Sequence, residues 1–282
     1  MTRMSGFKCH DCSVCMGNGC VGQLPGMGGA NESRNFILNC RAWDKIPFGK
    51  FENTAELRIA PMTGSVENVG YPDEKSFYFD LVKKSVEEKI PLSIGDGCPD
   101  EKLLWGIEAV REKNTRAAVF IKPYENGRIF ERIEWADGIM EFCGIDIDAY
   151  NIVTMRNKVR LEKKSADSLL EIKKILERNS IPFVIKGIFT DEDVQLVKEL
   201  KPYAAYISNH GGRVPTVEGS TAEFLLENFD EIKNNCEEVW VDGGIRTRKD
   251  FEKAQSHGVS KILLGRPFAT ALCYGRSFSK IL

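Results

Sequence analysis

Several features that would place the chain in a broad class are missing from its sequence. No apolar run is long enough to cross a bilayer, so we expect no membrane-spanning segment. The 39 basic and 41 acidic residues nearly cancel, and a net charge of −2 gives no reason to expect nucleic acid or an anionic membrane as a partner. Residues 1–8 lack the apolar core of a secretory signal, so a cytoplasmic protein is expected.

Histidine is scarce, with three residues in 282, whereas cysteine, with nine residues, is not. Five cysteines are scattered, and each is expected to be a reduced, buried, small apolar residue. The other four stand close together near the N-terminus, and such crowding in a chain without a signal favours a metal site over disulfides. The scattered residues are Cys40, Cys98, Cys143, Cys236 and Cys273, and the clustered ones are Cys9, Cys12, Cys15 and Cys20.

The clustered cysteines follow the spacing C-x2-C-x2-C-x4-C, which is close to, but differs from, the run that binds an iron–sulfur cluster in ferredoxins. Four thiolates on one short loop can wrap a 4Fe–4S cluster, and a zinc site with four cysteine ligands or free, redox-active thiols are the alternatives. The surrounding residues 1–35 are rich in glycine and poor in apolar side chains, so they cannot build a core of their own. We therefore predict a metal- or cluster-binding segment at 1–35 and a separate domain at 36–282.

The larger domain opens with a predicted helix and connector over 36–55, and from about residue 56 short apolar runs alternate with amphipathic helical stretches. Runs that are apolar on both faces are typical of a parallel sheet covered by helices. Eight such β-α units in roughly 225 residues fit a closed (β/α)8 TIM barrel, with an open doubly wound sheet as the alternative. The predicted strands are 57–61, 91–94, 117–121, 144–147, 182–185, 204–207, 239–241 and 262–264, and the predicted helices are 75–89, 99–113, 125–142, 165–179, 190–200, 219–235, 247–257 and 268–280.

Nearly every predicted strand is followed by glycine or by an ionisable residue. In a (β/α)8 barrel the active site lies at this C-terminal end of the strands. A binding site explains the recurrence more readily than packing does. The strand ends are Pro61-Met-Thr-Gly64, Gly95-Asp-Gly97, Lys122-Pro-Tyr124, Asp146 with Asp148, Lys186-Gly187, Ser208-Asn-His210, Asp242-Gly-Gly-Ile-Arg246 and Gly265-Arg-Pro267.

The loops after strands 7 and 8 combine glycine with arginine. In many barrels these two loops hold a phosphate through backbone N–H groups. Gly243 and Gly244 would leave the backbone open to an anion, and Arg246 and Arg266 would add charge. A phosphate-bearing cofactor is therefore predicted, although glycines that cap tight turns and surface arginines would give the same pattern.

The loop after strand 6 places His210 three residues before Arg213. A histidine can take a proton near neutral pH, and an arginine presents a planar fork that fits a carboxylate. The pair predicts a base and an anion clamp on one loop, as a hydroxy acid substrate needs.

These motifs resemble those of the FMN-dependent 2-hydroxy acid dehydrogenases and oxidases, among them glycolate oxidase, lactate oxidase and flavocytochrome lactate dehydrogenase. The likeness covers about 180–275, and a weaker likeness extends back to Gly28-Gly-Ala-Asn-Glu32. The motifs that carry it are Ser208-Asn-His-Gly-Gly-Arg213, Lys186-Gly187, Asp242-Gly-Gly-Ile-Arg246 and Gly265-Arg-Pro267.

The resemblance implies that His210 is the base, that Arg213 binds the substrate carboxylate and that Lys186 stabilises negative charge on the reduced flavin. Tyr124 would contact the substrate hydroxyl, and Lys122 stands where the family usually has a flavin-binding glutamine. The resemblance also implies a homo-oligomer. The implied FMN contacts are Pro61, Met62, Thr63, Gly95, Lys122, Asp146, Lys186, Ser208, Asp242, Gly243, Gly244, Arg246, Gly265 and Arg266.

Three departures from the family pattern leave the substrate open. The region 23–27 lacks the family's further substrate-binding tyrosine, and the connection between strands 4 and 5 is shorter than usual, with Arg156 or Arg160 as replacements for a second substrate-binding arginine. The cysteine cluster is additional, and it would pass electrons from the flavin to a protein acceptor. The alternative functions are a non-redox FMN isomerase of the type 2 isopentenyl diphosphate isomerase kind, and a flavin or iron–sulfur electron carrier or sensor without its own substrate.

Overall fold

The computed structural model describes residues 34–66, 71–152, 158–214 and 217–282. Eight parallel strands form a closed barrel in the order β1 to β8, in which β8 pairs with β1 through Glu56 opposite Lys261 and Ile59 opposite Leu264. The strands are β1 (Glu56–Met62), β2 (Leu92–Gly95), β3 (Ala117–Ile121), β4 (Met140–Asp146), β5 (Phe183–Ile188), β6 (Ala204–Ile207), β7 (Glu238–Val241) and β8 (Lys261–Leu264).

The α-helices of the described residues precede the barrel or lie between and after its strands. They are α1 (Arg34–Lys45), α2 (Glu74–Glu88), α3 (Glu101–Glu112), α4 (Asn126–Trp135), α5 (Ala166–Arg178), α6 (Asp191–Leu200), α7 (Thr221–Lys233), α8 (Arg248–Ser256) and α9 (Arg266–Cys273). The predicted (β/α)8 barrel is confirmed, and the open sheet is excluded because β1 and β8 are hydrogen-bonded to each other.

Two predicted helices are wrong at their C-terminal ends. The predicted helix 125–142 stops at Trp135, because Met140 and Phe142 pair with Ala117 and Ala118 of β3 and so belong to β4. The predicted helix 268–280 stops at Cys273, and a separate 3-10 turn follows at Phe278–Lys280. In both regions apolar residues continue past the helix, and a helical period over so short a stretch does not exclude a strand or a turn.

Reciprocal caps define where the outer helices begin. At α6, Thr190 Oγ1 accepts from the backbone of Asp193 at 3.2 Å, and Asp193 Oδ2 accepts from the backbone of Thr190 at 2.9 Å. Thr247 and Asp250 form the same capping box at α8. Each box satisfies backbone donors that a helix start would leave without partners. The box at α8 also shapes the loop after β7, because Asp250 accepts from the backbone N–H of Arg246 at 3.0 Å.

Large aromatic side chains fill the barrel interior. Phe120 meets Tyr206 and Trp240 edge-on, with ring centroids 5.6 and 6.4 Å apart, and Phe142 meets Trp240 at 5.1 Å. Such edge-to-face contacts add to the free energy gained by burying the rings. The interior is therefore a packed core, and the open space lies at its C-terminal end.

Helix α1 lies against the loops that follow β6 and β7. Asn39 and Asn209 exchange side-chain hydrogen bonds of 2.8 and 3.1 Å, and Asn39 Oδ1 also accepts from the backbone of Thr221 at 3.0 Å. Trp43 is fully buried and donates from Nε1 to the Gly243 carbonyl at 2.8 Å. Phe36, Trp43 and Ile46 are buried and Ile37 is partly exposed, and this helix forms one wall of the barrel's C-terminal face.

The scattered cysteines are free, and Cys40, Cys143 and Cys273 are buried as predicted. Cys98 and Cys236 are partly exposed, because they lie in a strand-end loop and in the turn before β7. The clustered cysteines belong to residues 1–33, which lie outside the described part of the chain, and the domain boundary predicted at residue 35 stays a prediction. Within the described part, no helix has the length and apolar character needed to cross a membrane.

Candidate active site

A cavity of about 320 Å³ opens at the C-terminal ends of the strands. Most of the residues predicted from the strand-end motifs line it, so the fold brings together side chains that are far apart in sequence. These residues are Pro61, Met62, Thr63, Gly95, Lys122, Asp146, Lys186, His210, Arg213, Asp242, Gly243, Gly244, Arg246, Gly265 and Arg266.

One end of the cavity carries two buried guanidinium groups. Arg266 donates from Nη2 to the Gly211 carbonyl at 2.8 Å and lies over the Phe36 ring, 4.5 Å from its centroid. Arg246 donates to the Ile245 carbonyl at 2.9 Å. Burial and the neighbouring charges of Arg213 and Arg246 hold the pKa of Arg266 well below its usual value. Crowded cations of this kind favour a bound anion.

Several donors of these two arginines have no partner in the described structure. Nε and Nη2 of Arg246 and Nε of Arg266 are buried without a hydrogen-bond acceptor. A buried donor without an acceptor is costly, and a phosphate offers several acceptor oxygens and negative charge. The residues present therefore fit the phosphate of FMN, as predicted from the loops after β7 and β8.

The close approach of α1 explains one glycine of the phosphate loop. Gly244 has φ +76°, and a Cβ atom there would lie 1.8 Å from the carbonyl oxygen of Asn39. Both the backbone conformation and the contact exclude a larger residue. Gly244 thus lets α1 pack against the loop, in addition to lining the cavity.

A buried carboxylate forms the middle of the site. Asp146, at the end of β4, accepts from Lys122 Nζ at 2.5 Å through Oδ2 and from Lys186 Nζ at 2.7 Å through Oδ1. The side chains of all three residues are almost fully buried. Burial favours the neutral form of Asp146, but the neighbouring charges of His210, Lys122 and Lys186 hold its pKa well below the usual value.

The imidazole of His210 lies against this carboxylate group. Its Nδ1 is 3.2 Å from Asp148 Oδ1 and 3.5 Å from Asp146 Oδ1, and its Nε2 is 3.4 Å from Lys122 Nζ. Burial, together with the charges of Lys122 and Lys186, holds the pKa of His210 well below its usual value, although Asp146 acts in the opposite direction. A pKa this low leaves His210 neutral near pH 7, so at that pH the charges that keep the pKa of Asp146 low are those of Lys122 and Lys186.

Burial acts in opposite directions on the pKa of Asp148 and on the pKa of Lys186. Burial and the charge of Asp146 raise the pKa of Asp148 well above its usual value. Burial opposes the charge of Lys186, but Asp146 and Asp148 outweigh it and raise the pKa of Lys186. Lys186 is consequently a permanent cation on the cavity wall, and the role that the family resemblance implies for it, stabilising negative charge on the reduced flavin, stays a prediction.

Asp146, Asp148 and His210 also lie close enough together to suggest a metal site. The ammonium groups of Lys122 and Lys186 already occupy both oxygens of Asp146. A cation would have to displace these two charges and would be repelled by them. The charge balance therefore fits an acid–base site better than a metal centre.

Arg213 completes the cavity next to His210. Its side chain is partly exposed, burial lowers its pKa, and its Nη2 atom is buried without a hydrogen-bond partner. A carboxylate entering the cavity would supply the missing acceptor. This position agrees with the substrate clamp expected from the motif, and the role itself stays a prediction.

Two predicted site residues do not line the cavity. Tyr124 is fully buried beneath the guanidinium of Arg132, 4.2 Å from its ring centroid, and its hydroxyl has no hydrogen-bond partner. This position does not support the predicted contact with a substrate hydroxyl. Ser208 is also buried, and it donates to Asp242 Oδ2 at 3.0 Å and accepts from the backbone of His210 at 3.2 Å. It therefore shapes the loop rather than facing the cavity.

Several residues at or beside the cavity were not predicted from the sequence. Asp148 lies just after β4 and contacts His210, but the sequence motifs gave it no role. Lys158 lines the cavity from the connection between β4 and α5. Asn39, like Asn35, is a buried polar residue among the apolar buried residues of α1, which is the one signal that could have marked it. Arg160 is exposed, and Arg156 lies outside the described residues.

Comparison with known proteins agrees with this geometry. The sequence model of a family described as FMN-dependent dehydrogenase matches residues 108–277. The 2-hydroxyacid oxidase 2 of Bos taurus is 36% identical over 94 residues, which are 33% of this chain and 26% of that protein. The L-lactate dehydrogenase (cytochrome) of Saccharomyces cerevisiae is 38% identical over 113 residues, which are 38% of this chain and 19% of that protein. The chain thus spans about a quarter or less of these relatives.

Solved structures extend the likeness to the whole barrel. A mandelate oxidase variant with benzoyl-formic acid superposes with a TM-score of 0.69 at 20% identity, covering 90% of this chain and 84% of that one. At this level of identity the superposition establishes the fold alone. The family match covers more than half of the chain and includes the strand-end motifs from Lys122 to Arg266. With these motifs around one cavity, the chain belongs to the family of FMN-dependent dehydrogenases.

Proposed function

We propose that the chain is an FMN-dependent oxidoreductase that oxidises a small 2-hydroxy acid to the 2-oxo acid. The observation that carries the proposal is the convergence of His210, Arg213 and Lys186 on one cavity that ends in two buried arginines. The two curated relatives carry names that refer to 2-hydroxy acid or lactate oxidation, which supports the same reaction class.

The residues of the chain divide the chemical work. Arg213 would bind the substrate carboxylate and orient the carbon that bears the hydroxyl. His210, neutral and held through Nδ1 by Asp148, would accept the hydroxyl proton at Nε2. Arg246 and Arg266 would hold the phosphate of FMN, and Lys186 would favour negative charge in the cavity. FMN, when bound, would supply an acceptor for the two electrons of the C–H bond on the hydroxyl-bearing carbon of the substrate.

The two alternative functions are less consistent with the site. A non-redox isomerase acting on a diphosphate has no evident use for a carboxylate clamp beside a neutral histidine. An electron carrier without a substrate needs neither a proton acceptor nor Arg213, whose Nη2 atom is left without a partner. The pairing of a base with an anion clamp therefore favours hydroxy acid oxidation.

A titration of the flavin spectrum without oxygen tests the proposal. We expect one member of a panel of small 2-hydroxy acids to bleach the flavin absorbance. Arg213→Met should raise the concentration needed for half-maximal bleaching by about two orders of magnitude, because a buried charge pair is lost. Arg178→Met, at an exposed position on α5, is the matched control and should behave as the unchanged protein. Bound flavin that no acid bleaches would contradict the proposal.

We further infer that Cys9, Cys12, Cys15 and Cys20 bind an iron–sulfur cluster through which electrons leave for a protein acceptor. The spacing supports this inference, and all four residues lie outside the described part of the chain. Protein purified without oxygen should contain iron and acid-labile sulfide, and both should be lost in a variant with all four cysteines changed to serine. Zinc in place of iron would indicate the alternative zinc site with four thiolate ligands.

A further inference from the structure

Lys122 has no assigned role in the reaction, although it occupies a central place in the site. Its side chain is almost fully buried on the cavity wall, and its Nζ lies 2.5 Å from Asp146 Oδ2. The same Nζ lies 3.4 Å from His210 Nε2, the ring nitrogen that is not held by Asp148. One ammonium group therefore contacts both the buried carboxylate and the nitrogen expected to receive the substrate proton.

The two sides of the imidazole determine which nitrogen carries the hydrogen. Nδ1 lies beside oxygens of Asp148 and Asp146, and an N–H on Nδ1 can donate to Asp148 Oδ1. Asp148 Oδ1 can accept this bond whether or not Oδ2 carries a proton. Nε2 faces an ammonium group, which has three donors and no acceptor, so Nε2 must present its lone pair. His210 is thereby restricted to the neutral form with hydrogen on Nδ1.

We propose that Lys122 is a positioning residue for His210: its ammonium group holds Nε2 as an unprotonated acceptor and moves to Asp146 alone when a substrate hydroxyl takes its place. The movement leaves no charge unpaired, because Asp146 already accepts from Lys122 in the resting arrangement. Lys122 thus keeps Nε2 unprotonated until a substrate hydroxyl replaces the ammonium group beside it. The mechanistic part of this inference rests on the proposed function.

The charges around His210 come from three strand ends and from its own loop. Asp146 is the last residue of β4, and Asp148 follows two residues later. Lys122 follows β3, and Lys186 lies in β5. Arg213 is on the same loop as His210. Loss of Lys122 removes the cation nearest to Nε2, while Lys186 still pairs with Asp146 at 2.7 Å. The buried carboxylate therefore keeps one partner, and the effect on the imidazole can be measured in a folded protein.

The ring nitrogens of His210 report on this arrangement directly. The full chain, with and without FMN, is labelled with 15N-histidine and followed by NMR as the pH is varied. The chain has three histidines, so His10→Gln and His257→Gln variants assign the signals of His210. We expect the neutral Nδ1–H form near pH 7. Lys122→Met should raise the pKa of His210 by at least about one unit, because a like charge next to the ring is removed.

Two comparison variants separate charge from packing. Lys122→Arg keeps a cation and should keep the pKa of His210 low. Lys261→Met removes a different buried lysine, one that pairs with Glu238 at 2.7 Å at the opposite end of the barrel, and should not move the signals of His210. If Lys122→Met fails to fold, the tautomer in the unchanged protein and the pKa in Lys122→Arg still test the inference.

Specific outcomes would overturn the inference. Hydrogen on Nε2 in the unchanged protein would contradict the contact with the ammonium group, and an unaltered pKa in Lys122→Met would contradict its electrostatic role. With an oxidisable acid in hand, Lys122→Met should also shift the acidic limb of the pH profile of flavin reduction upward by a similar amount. Failure to find any such acid would contradict the proposed function. The NMR result tests the effect of Lys122 on His210 independently of that function.

Discussion

Replacing His210 by asparagine should lower the rate at which a 2-hydroxy acid reduces the bound flavin by about 10²- to 10⁴-fold, the usual contribution of a positioned base. The backbone at His210 has φ +58°, a left-handed conformation that asparagine tolerates better than most residues. The substitution therefore removes the proton acceptor with little strain. Rapid mixing of the protein with substrate, without oxygen, measures the rate of flavin bleaching.

Two controls determine whether the loss is chemical. Arg246 and Arg266 come from other loops, and the bond from Arg266 to the His210 loop is accepted by the backbone carbonyl of Gly211, so His210→Asn should still bind FMN with nearly unchanged affinity. His257→Asn replaces a histidine at the C-terminal end of α8, where its Nε2 lies 3.0 Å from the Pro47 carbonyl, and should reduce flavin at the normal rate. Equal rates in both histidine variants would remove His210 from the mechanism.

Replacing Arg132 by methionine should lower the free energy of unfolding by about 3–5 kcal/mol, because it leaves a buried carboxylate without its counter-charge. Arg132 and Asp96 are fully buried and form a salt bridge of 3.0 Å, and Arg132 also pairs with Asp100. Asp96 would keep only its backbone hydrogen bonds from Gly97 and Lys122. Unfolding in urea, measured with and without FMN, gives the loss.

The same substitution should make stability depend more strongly on pH. Burial raises the pKa of Asp96 to about 6 even with Arg132 beside it, and loss of the guanidinium raises it further. A carboxyl whose pKa is higher in the folded state costs stability above that pKa and costs less as the pH falls through it. The deficit should therefore shrink as the pH falls towards about 6, the pKa of Asp96 in the unchanged protein. Adding Asp96→Asn to Arg132→Met should recover part of the loss, and no recovery would contradict the account.

The barrel and much of its cavity could be predicted because both depend on local patterns. Strands such as Ala117–Ile121 are continuous apolar runs, and the ends of parallel strands must meet at one face. Once eight strands were counted, the proximity of Lys122, Asp146, Lys186 and His210 followed from topology alone. The motif residues needed no knowledge of side-chain directions to be placed at the same end.

Other features depend on side-chain direction, which a sequence pattern does not give. Tyr124 stands only two residues after Lys122, yet its ring turns under Arg132 and away from the cavity. The contact between Lys122 and His210 joins residues 88 positions apart and depends on the rotamers of both. Asn39 belongs to a helix ahead of the barrel, where no strand-end rule applies.

The position of α1 affects the order in which parts of the protein can fold during synthesis. Asn39 bonds to a residue 170 positions later, Asn35 to residues 179 and 182 positions later, and Trp43 to one 200 positions later. During synthesis α1 is among the first of the described elements to leave the ribosome, yet its partners are made near the end. Contacts of such sequence separation form late, because long loops must close first. A chain that stops short of β6 would therefore leave Asn35, Asn39 and Trp43 without these partners and the cofactor face incomplete.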